Sequence, residues 1–184
     1  MVRKKVYKKQ HILAAAEDLL IEKGFSAITA RRVAEYMGIS TQPIYLEFKN
    51  MEELKLTLLK TVYEGLEREF FSIARTSNSL ANFGISHIEL ARAKSNLYIA
   101  LFVDQHSYGK ELHQLSFNSF KKTIQSEVEY TNVSQEQLEN VHLNLWIIAI
   151  GMATLSISGI LNKTEEQLIA EFTSIKLKHN ATWS

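Results

Sequence analysis

Residues 30–48 read ARRVAEYMGISTQPIYLEF, and their spacing predicts two short helices joined by a tight turn at Gly38. Val33, Ala34 and Met37 form the apolar face of the first helix. Ile39, Ile44, Tyr45 and Phe48 supply the apolar side of the turn and of the second helix. Ala34 sits four residues before Gly38, where two helices cross closely and a larger side chain would hold them apart. Gly38 stands where the first helix must stop, and a left-handed residue there costs least as glycine. This is the pattern of a helix-turn-helix, which lays its second helix in the major groove of DNA.

Pro43 is compatible with that second helix if Ser40 is the N-cap. Thr41, Gln42 and Pro43 are then its first three residues, whose N–H groups have no intrahelical partner. That start places Thr41, Gln42, Pro43, Leu46 and Glu47 on the outer side. Thr41 and Gln42 can reach base edges, and glutamine pairs with adenine. Tyr45 is expected to offer its hydroxyl to a phosphate while its ring packs inward. Arg31 and Arg32 open the preceding helix beside the groove, Arg31 facing guanine or phosphate. Thr29 is the natural N-cap there and a phosphate donor.

Charge is distributed to match. The chain of 184 residues has a net charge of only +1. Residues 1–50, however, carry nine Lys and Arg against five Asp and Glu, and the remainder carries twelve against fifteen. A basic front end on an acidic body points to a polyanion partner for the front end alone. Lys4, Lys5, Lys8 and Lys49 are the expected phosphate contacts outside the two helices.

The rest of the composition favours helices. One proline and seven glycines are too few for a fold rich in β-turns, and 46% hydrophobic residues suffice for a core. With no cysteine, disulfide and thiolate chemistry are excluded, which fits a reducing cytoplasm. The basic N-terminus leads into an amphipathic helix and does not read as a signal peptide.

The chain divides into a DNA-binding domain over 1–50 and a helical regulatory and dimerisation domain over 51–184. A first helix is expected from about Lys5 to Lys23, stopped by Gly24. Asn50, with Glu53 three residues on, reads as a capping box. It opens a helix of roughly 25 residues, a rod of about 37 Å, interrupted at Gly65, where a packing reason is expected. Further helices are read at 80–92, 95–106, 108–130, 134–161 and 165 to about Lys178. Capping boxes at Ser134–Gln137 and Thr164–Gln167 open the last two. Residues 145–161 carry no charge. That run is short for a membrane span, so burial in protein is favoured, with Ala149, Gly151, Ala153, Ser156 and Gly159 admitting a neighbouring helix.

Residues 7–60 resemble the N-terminal domain of the TetR family of transcriptional regulators. The resemblance rests on Gly24-Phe25, Thr29, Val33-Ala34, Gly38-Ile39-Ser40, Ile44-Tyr45, Phe48 and the run from Asn50 to Leu54. It implies an all-α fold and a non-enzymatic function. The implied regulator, a repressor in the expected case, binds a near-palindromic operator on double-stranded DNA as a homodimer. Pairing would run through about residues 134–178, and a small-molecule ligand in the C-terminal domain would release the DNA. Two positions depart from the family pattern. Pro43 replaces a small hydroxyl residue or alanine, and Met51 replaces a phosphate-contacting lysine, which shifts anchoring to Lys49 and the basic arm.

Phe83, Tyr98, Phe102, Tyr108, Phe117, Phe120 and Trp146 are the candidates to line a ligand pocket, against plain core packing. The six histidines include no pair at i,i+4 spacing, so no metal is expected, and no cofactor. The competing reading is a helical membrane-associated or partner-binding protein without specific DNA recognition, with 145–161 as its anchor.

Overall fold

The computed structural model describes residues 7–124, 127, 130 and 132–174. Every regular element among them is helical. Helix α1 spans Lys9–Lys23 and is followed by a 3-10 turn, Phe25–Ala27. Helices α2 (Ala30–Met37) and α3 (Gln42–Glu47) complete a three-helix head. Helix α4 (Met51–Leu66) then leaves the head and runs into a π turn, Glu67–Phe71. The body consists of α5 (Ser79–Ala93), α6 (Ser95–Phe102), α7 (Gly109–Ile124), α8 (Gln135–Ile157) and α9 (Glu165–Ser174).

The head closes because each of its helices has one apolar side. Ile12, Ala16 and Leu20 of α1, Val33 and Ala34 of α2, and Ile44 and Phe48 from α3 and its end are all buried together. Leu54, Leu58, Val62 and Leu66 carry the same core along α4 into the body. In the body α5 is the central helix. Ala81 to Ile88 are buried on every side, and α8 and α9 pack against it. At Gly84 a Cβ would overlap the Phe172 ring, so the close approach of α5 and α9 depends on a glycine there.

Several boundaries differ from the sequence expectation. Helix α1 starts at Lys9, because Lys8 is extended (φ −94°, ψ 161°) and its N–H is taken by His11 Nδ1 at 3.1 Å. The rod from Met51 is regular for 16 residues and not for the expected 25, and Ile73, beyond the π turn, is 43% exposed. Gly65 has open space where its side chain would be, so no packing reason exists for it. Helix α6 ends at Phe102, where the His106 ring donates from Nε2 to the Leu101 carbonyl at 2.8 Å and turns the chain. Helix α8 stops before a left-handed Gly159. Part of the end of the helix expected over 108–130, and the expected final turns to Lys178, lie outside the described residues. The capping boxes at Ser134 and Thr164 form as expected. At Asn50 only half of one forms: Asn50 accepts from the Glu53 amide, but Glu53 accepts from the Lys49 amide and not from Asn50.

Candidate functional site

The turn between α2 and α3 is built as its residues require. Gly38 adopts φ 67° and ψ 36°, and the Ile39 amide bonds the Ala34 carbonyl at 2.9 Å. The Thr29 hydroxyl caps α2 by accepting from the Arg32 amide at 3.2 Å. The N-cap of α3 is Thr41, not Ser40. The Thr41 carbonyl accepts the first helical bonds, from Ile44 and Tyr45, and neither hydroxyl caps the helix. Pro43 is therefore the second helical residue, and it still occupies a position whose N–H would lack a partner.

This start turns the side chains so that Ile44 and Phe48 are buried while Thr41, Gln42 and Leu46 face solvent. Tyr45 is 56% exposed, so its ring lies outside the core, contrary to expectation. A six-residue helix has room for one buried ridge, and Ile44 with Phe48 fills it. Leu46, at 76% exposure, is the most exposed large apolar side chain of the head. Ser40, Arg31, Arg32 and Lys49 are also exposed, and Pro43 is half-buried. Thr29, at the start of α2, is exposed as well. Arg31 is paired with Glu35 on its own helix, Nε to Oε1 at 2.8 Å, so it meets a phosphate only after leaving that carboxylate. Lys8 is exposed just ahead of α1, and Lys4 and Lys5 lie outside the described residues.

Sequence reasoning missed what fixes the end of α3. Lys9 joins three elements at once. Its amide donates to Glu47 at 3.1 Å, its ammonium lies 3.5 Å from Glu53, and the same ammonium sits 4.7 Å from the Phe48 ring centroid. The start of α1 therefore lies beside the end of α3. The Lys49 amide in turn holds the Glu53 carboxylate below its usual range. These contacts join residues about forty positions apart, and no local pattern announces them. Tyr36, exposed on α2 and donating to Asp18 at 3.1 Å, was missed as well.

The head meets the body at a small aromatic junction. Phe25 lies 4.8 Å from His106 and 5.2 Å from Tyr108 by ring centroid. The Tyr108 hydroxyl donates to Glu52, at the start of α4, at 2.9 Å. Burial, then the Glu52 carboxylate, push the Tyr108 pKa up to about 12. Tyr108 thus sits where the head rests on the body.

The other aromatic candidates lie deeper in the body. Phe83, Tyr98, Phe117 and Phe120 are buried, with Phe83 and Phe120 both against His142. Phe102 and Trp146 are half-buried and border a cleft of about 410 Å³ that also includes His106 and Leu143. His87 and His142 are fully buried within this group. His87 shares a hydrogen bond with Tyr98, and His142 with Ser116. Burial, above all, pushes both imidazoles down to about 3, so both are neutral near pH 7. His113 and His142 converge to 5.1 Å, but no group of three metal-ligating side chains forms among the described residues. A larger cavity of about 790 Å³ opens between α4 and α7, lined by Tyr63 and Leu115 among others. It includes none of the seven aromatic candidates.

Helix α8 has two dissimilar sides. Val141, His142, Leu145, Ala149 and Ala153 are buried within the chain, facing α5. Leu143, Ile147, Gly151 and Leu155, four residues apart, are exposed. Ala149 and Ala153 therefore serve the internal core and not an intermolecular seam, while Gly151 faces outward. Ser156 accepts from Arg92 at 2.8 Å. By length and composition Gln135–Ile157 could cross a bilayer, with 28% of its apolar window buried inside the single chain.

Residues 12–57 match the family described as bacterial regulatory proteins, tetR family. The chain is 26% identical over 117 residues to the fatty acid metabolism regulator protein of Bacillus subtilis (strain 168). That match covers 61% of this chain and 60% of the relative's length. Among solved structures, the fatty acid degradation regulator FadR from Bacillus halodurans superposes with a TM-score of 0.64 at 17% identity, over 92% of this chain and 94% of that one. NalD, the secondary repressor of the MexAB-OprM multidrug efflux pump in Pseudomonas aeruginosa, gives 0.55 at 16% identity, over 90% and 93%. At such identities the superpositions speak for the fold alone. The helix-turn-helix built around Gly38 lies inside the segment that matches the tetR family, and the all-helical architecture of the whole chain is shared with the superposed regulators.

Proposed function

We propose that the protein is a DNA-binding transcriptional regulator, a repressor that holds a near-palindromic operator as a homodimer and releases it when a small molecule occupies the body. The observation that carries this reading is the division of α3. Ile44 and Phe48 anchor it while Thr41, Gln42, Tyr45 and Leu46 are left to solvent on a basic head. A six-residue helix that exposes a leucine and a tyrosine has no use for them in its own fold. In a major groove Gln42 pairs with adenine, Leu46 meets a thymine methyl and the Tyr45 hydroxyl meets a phosphate. Arg31, Arg32, Thr29, Lys49 and the arm with Lys4, Lys5 and Lys8 anchor the backbone.

The exposed stripe of α8, from Leu143 to Leu155, supports pairing of two chains through α8 and α9. Its four-residue spacing makes a ridge, and Gly151 leaves a notch in it. On this reading a second chain, and not lipid, covers the apolar helix. The names of two relatives favour an effector or target genes connected with fatty acids. The family matched over residues 12–57 and the named relatives are regulators, which favours a regulatory and not a catalytic role. The test is selection of binding sites from random duplexes by the purified chain. The expected result is an inverted repeat with half-sites roughly one helical turn apart. Recovery of sequences without two-fold symmetry would overturn the dimeric reading.

A further inference from the structure

The cavity between α4 and α7 is lined by the apolar Leu115, Ile124 and Leu138, by the Tyr63 ring, and by the polar Asn118 and Ser119. Four charged side chains also line it, and they are not equivalent. Glu67 and Lys122 pair across the cavity at 2.9 Å. Glu64 is exposed, so water compensates its charge. Lys121 is half-buried, with its ammonium 4.8 Å from the Phe117 ring centroid and no carboxylate partner among the described residues. With a ring and no carboxylate beside it, the Lys121 ammonium is the charge in the cavity without an ionic partner among the described residues. Tyr63 is 2% exposed, and its hydroxyl lies beside the Ser116 and Ser119 side chains.

We propose that this cavity takes an amphipathic anion, an apolar chain or ring bearing one carboxylate or phosphate, whose head displaces Glu67 from Lys122 beside Lys121. The proposal rests on the reading of the body as an effector-binding domain. A cationic head would leave Lys121 uncompensated and add a third positive charge. An anionic head meets two ammonium groups at the cost of one internal carboxylate.

The position of Glu67 gives the exchange a consequence. Glu67 opens the π turn that ends α4, the helix that carries the head. The far end of that turn is tied to α5 by Arg75, which donates to the Phe70 carbonyl at 3.3 Å and to Ser86 at 3.1 Å and pairs with Glu89. The near end is tied to α7 through Lys122. Displacing Glu67 frees the near end alone, so α4 can tilt about the Arg75 clasp and carry the head with it. Ligand and DNA then favour different positions of one helix, which is the condition for coupling.

Calorimetry on the full chain, with dodecanoate, dodecyl phosphate, dodecanol and dodecyltrimethylammonium below their micelle concentrations, tests this. Dodecanoate, dodecyl phosphate or both should bind, and their relative affinity identifies the head. Dodecanol and dodecyltrimethylammonium should not. Lys122→Gln should weaken the anion about tenfold. Glu67→Gln should tighten it about threefold by removing the internal competitor, and should lower operator affinity without ligand by up to about fivefold. A purely structural role for Glu67 would weaken both. Equal binding of the alcohol, or a Glu67→Gln variant that melts like the wild type and does not tighten the anion, would overturn the proposal. If none of the four binds but another small molecule releases the operator, the head assignment fails and the effector reading stands. If no small molecule alters operator binding, the effector reading itself fails.

Discussion

Gly38 in the head and Gly84 in the body both stand where two helices meet, for opposite reasons. Gly38 needs its backbone: φ is 67°, and a side chain there would meet nothing within 4 Å. Gly84 needs its missing side chain: it lies in an ordinary helix, and a Cβ would run into Phe172, eighty-eight positions along the chain. The head is specified by local conformation, and its outward residues are left for a partner. The body is specified by contacts between distant helices, and its interior holds polar groups that packing alone does not require.

The strongest way to break this comparison is to separate two chains while leaving the head intact. Ile147→Asp puts a charge on the exposed α8 ridge and should yield monomers in sedimentation. Operator affinity should then fall about 100-fold or more, because the second head no longer binds as a tethered neighbour. A variant that stays dimeric would mean that the ridge is not the seam, and a monomeric variant with unchanged affinity would mean that pairing does not serve operator binding.

Acid should act on the body next. His87 and His142 are neutral in the fold, with pKa values near 3 against an ordinary value of 6.5. Between those limits the unfolded chain binds more protons than the native chain, so stability is full above about pH 6.5 and falls as pH drops towards 3. Each imidazole contributes at most about 1.4 kcal/mol per pH unit in that window. Denaturant melts at pH 7 and pH 5 should show the loss, and His142→Gln should reduce its slope by about half.

The two glycines then separate head from body directly. Gly84→Ala should cost about 1–3 kcal/mol through overpacking against Phe172. Gly38→Ala should cost about 1–2 kcal/mol through left-handed backbone strain. A Phe172→Leu change should recover part of the first loss and none of the second. The smallest effect is expected at Gly65, where the side-chain space is empty: Gly65→Ala should stabilise the chain by roughly 1 kcal/mol. Thermal melts measure all of these.

Most of the head could be read from sequence because its determinants are local. Thr29, Gly38 and Asn50 are caps recognised over three or four residues, and all three serve as such. The misreadings there were small shifts of phase. Starting α3 one residue later than Ser40 moves the Tyr45 ring from the core to solvent, since Ile44 and Phe48 already fill the buried ridge. The Lys9 contacts to Glu47, Phe48 and Glu53 were invisible because they join separate helices. In the body, helix positions followed from periodicity and capping boxes, but not which face meets which neighbour. Small residues along α8 look alike in sequence, yet Ala149 and Ala153 face α5 while Gly151 faces out. The aromatic residues were conspicuous, but the cavity between α4 and α7 is edged by Glu67, Lys121 and Lys122, whose proximity appears only when α4 and α7 are side by side.

The central claim is that the outer face of α3 reads base sequence while basic residues around it hold the backbone. The direct measurement compares binding of the wild type and Gln42→Ala to the selected operator and to a scrambled duplex, each across a salt titration. The preference for operator over scrambled duplex should fall by about tenfold or more in Gln42→Ala. The salt slope, set by phosphate contacts at about −0.9 per contact, should be unchanged. An unaltered preference, or a loss shared equally by both duplexes, would contradict the account.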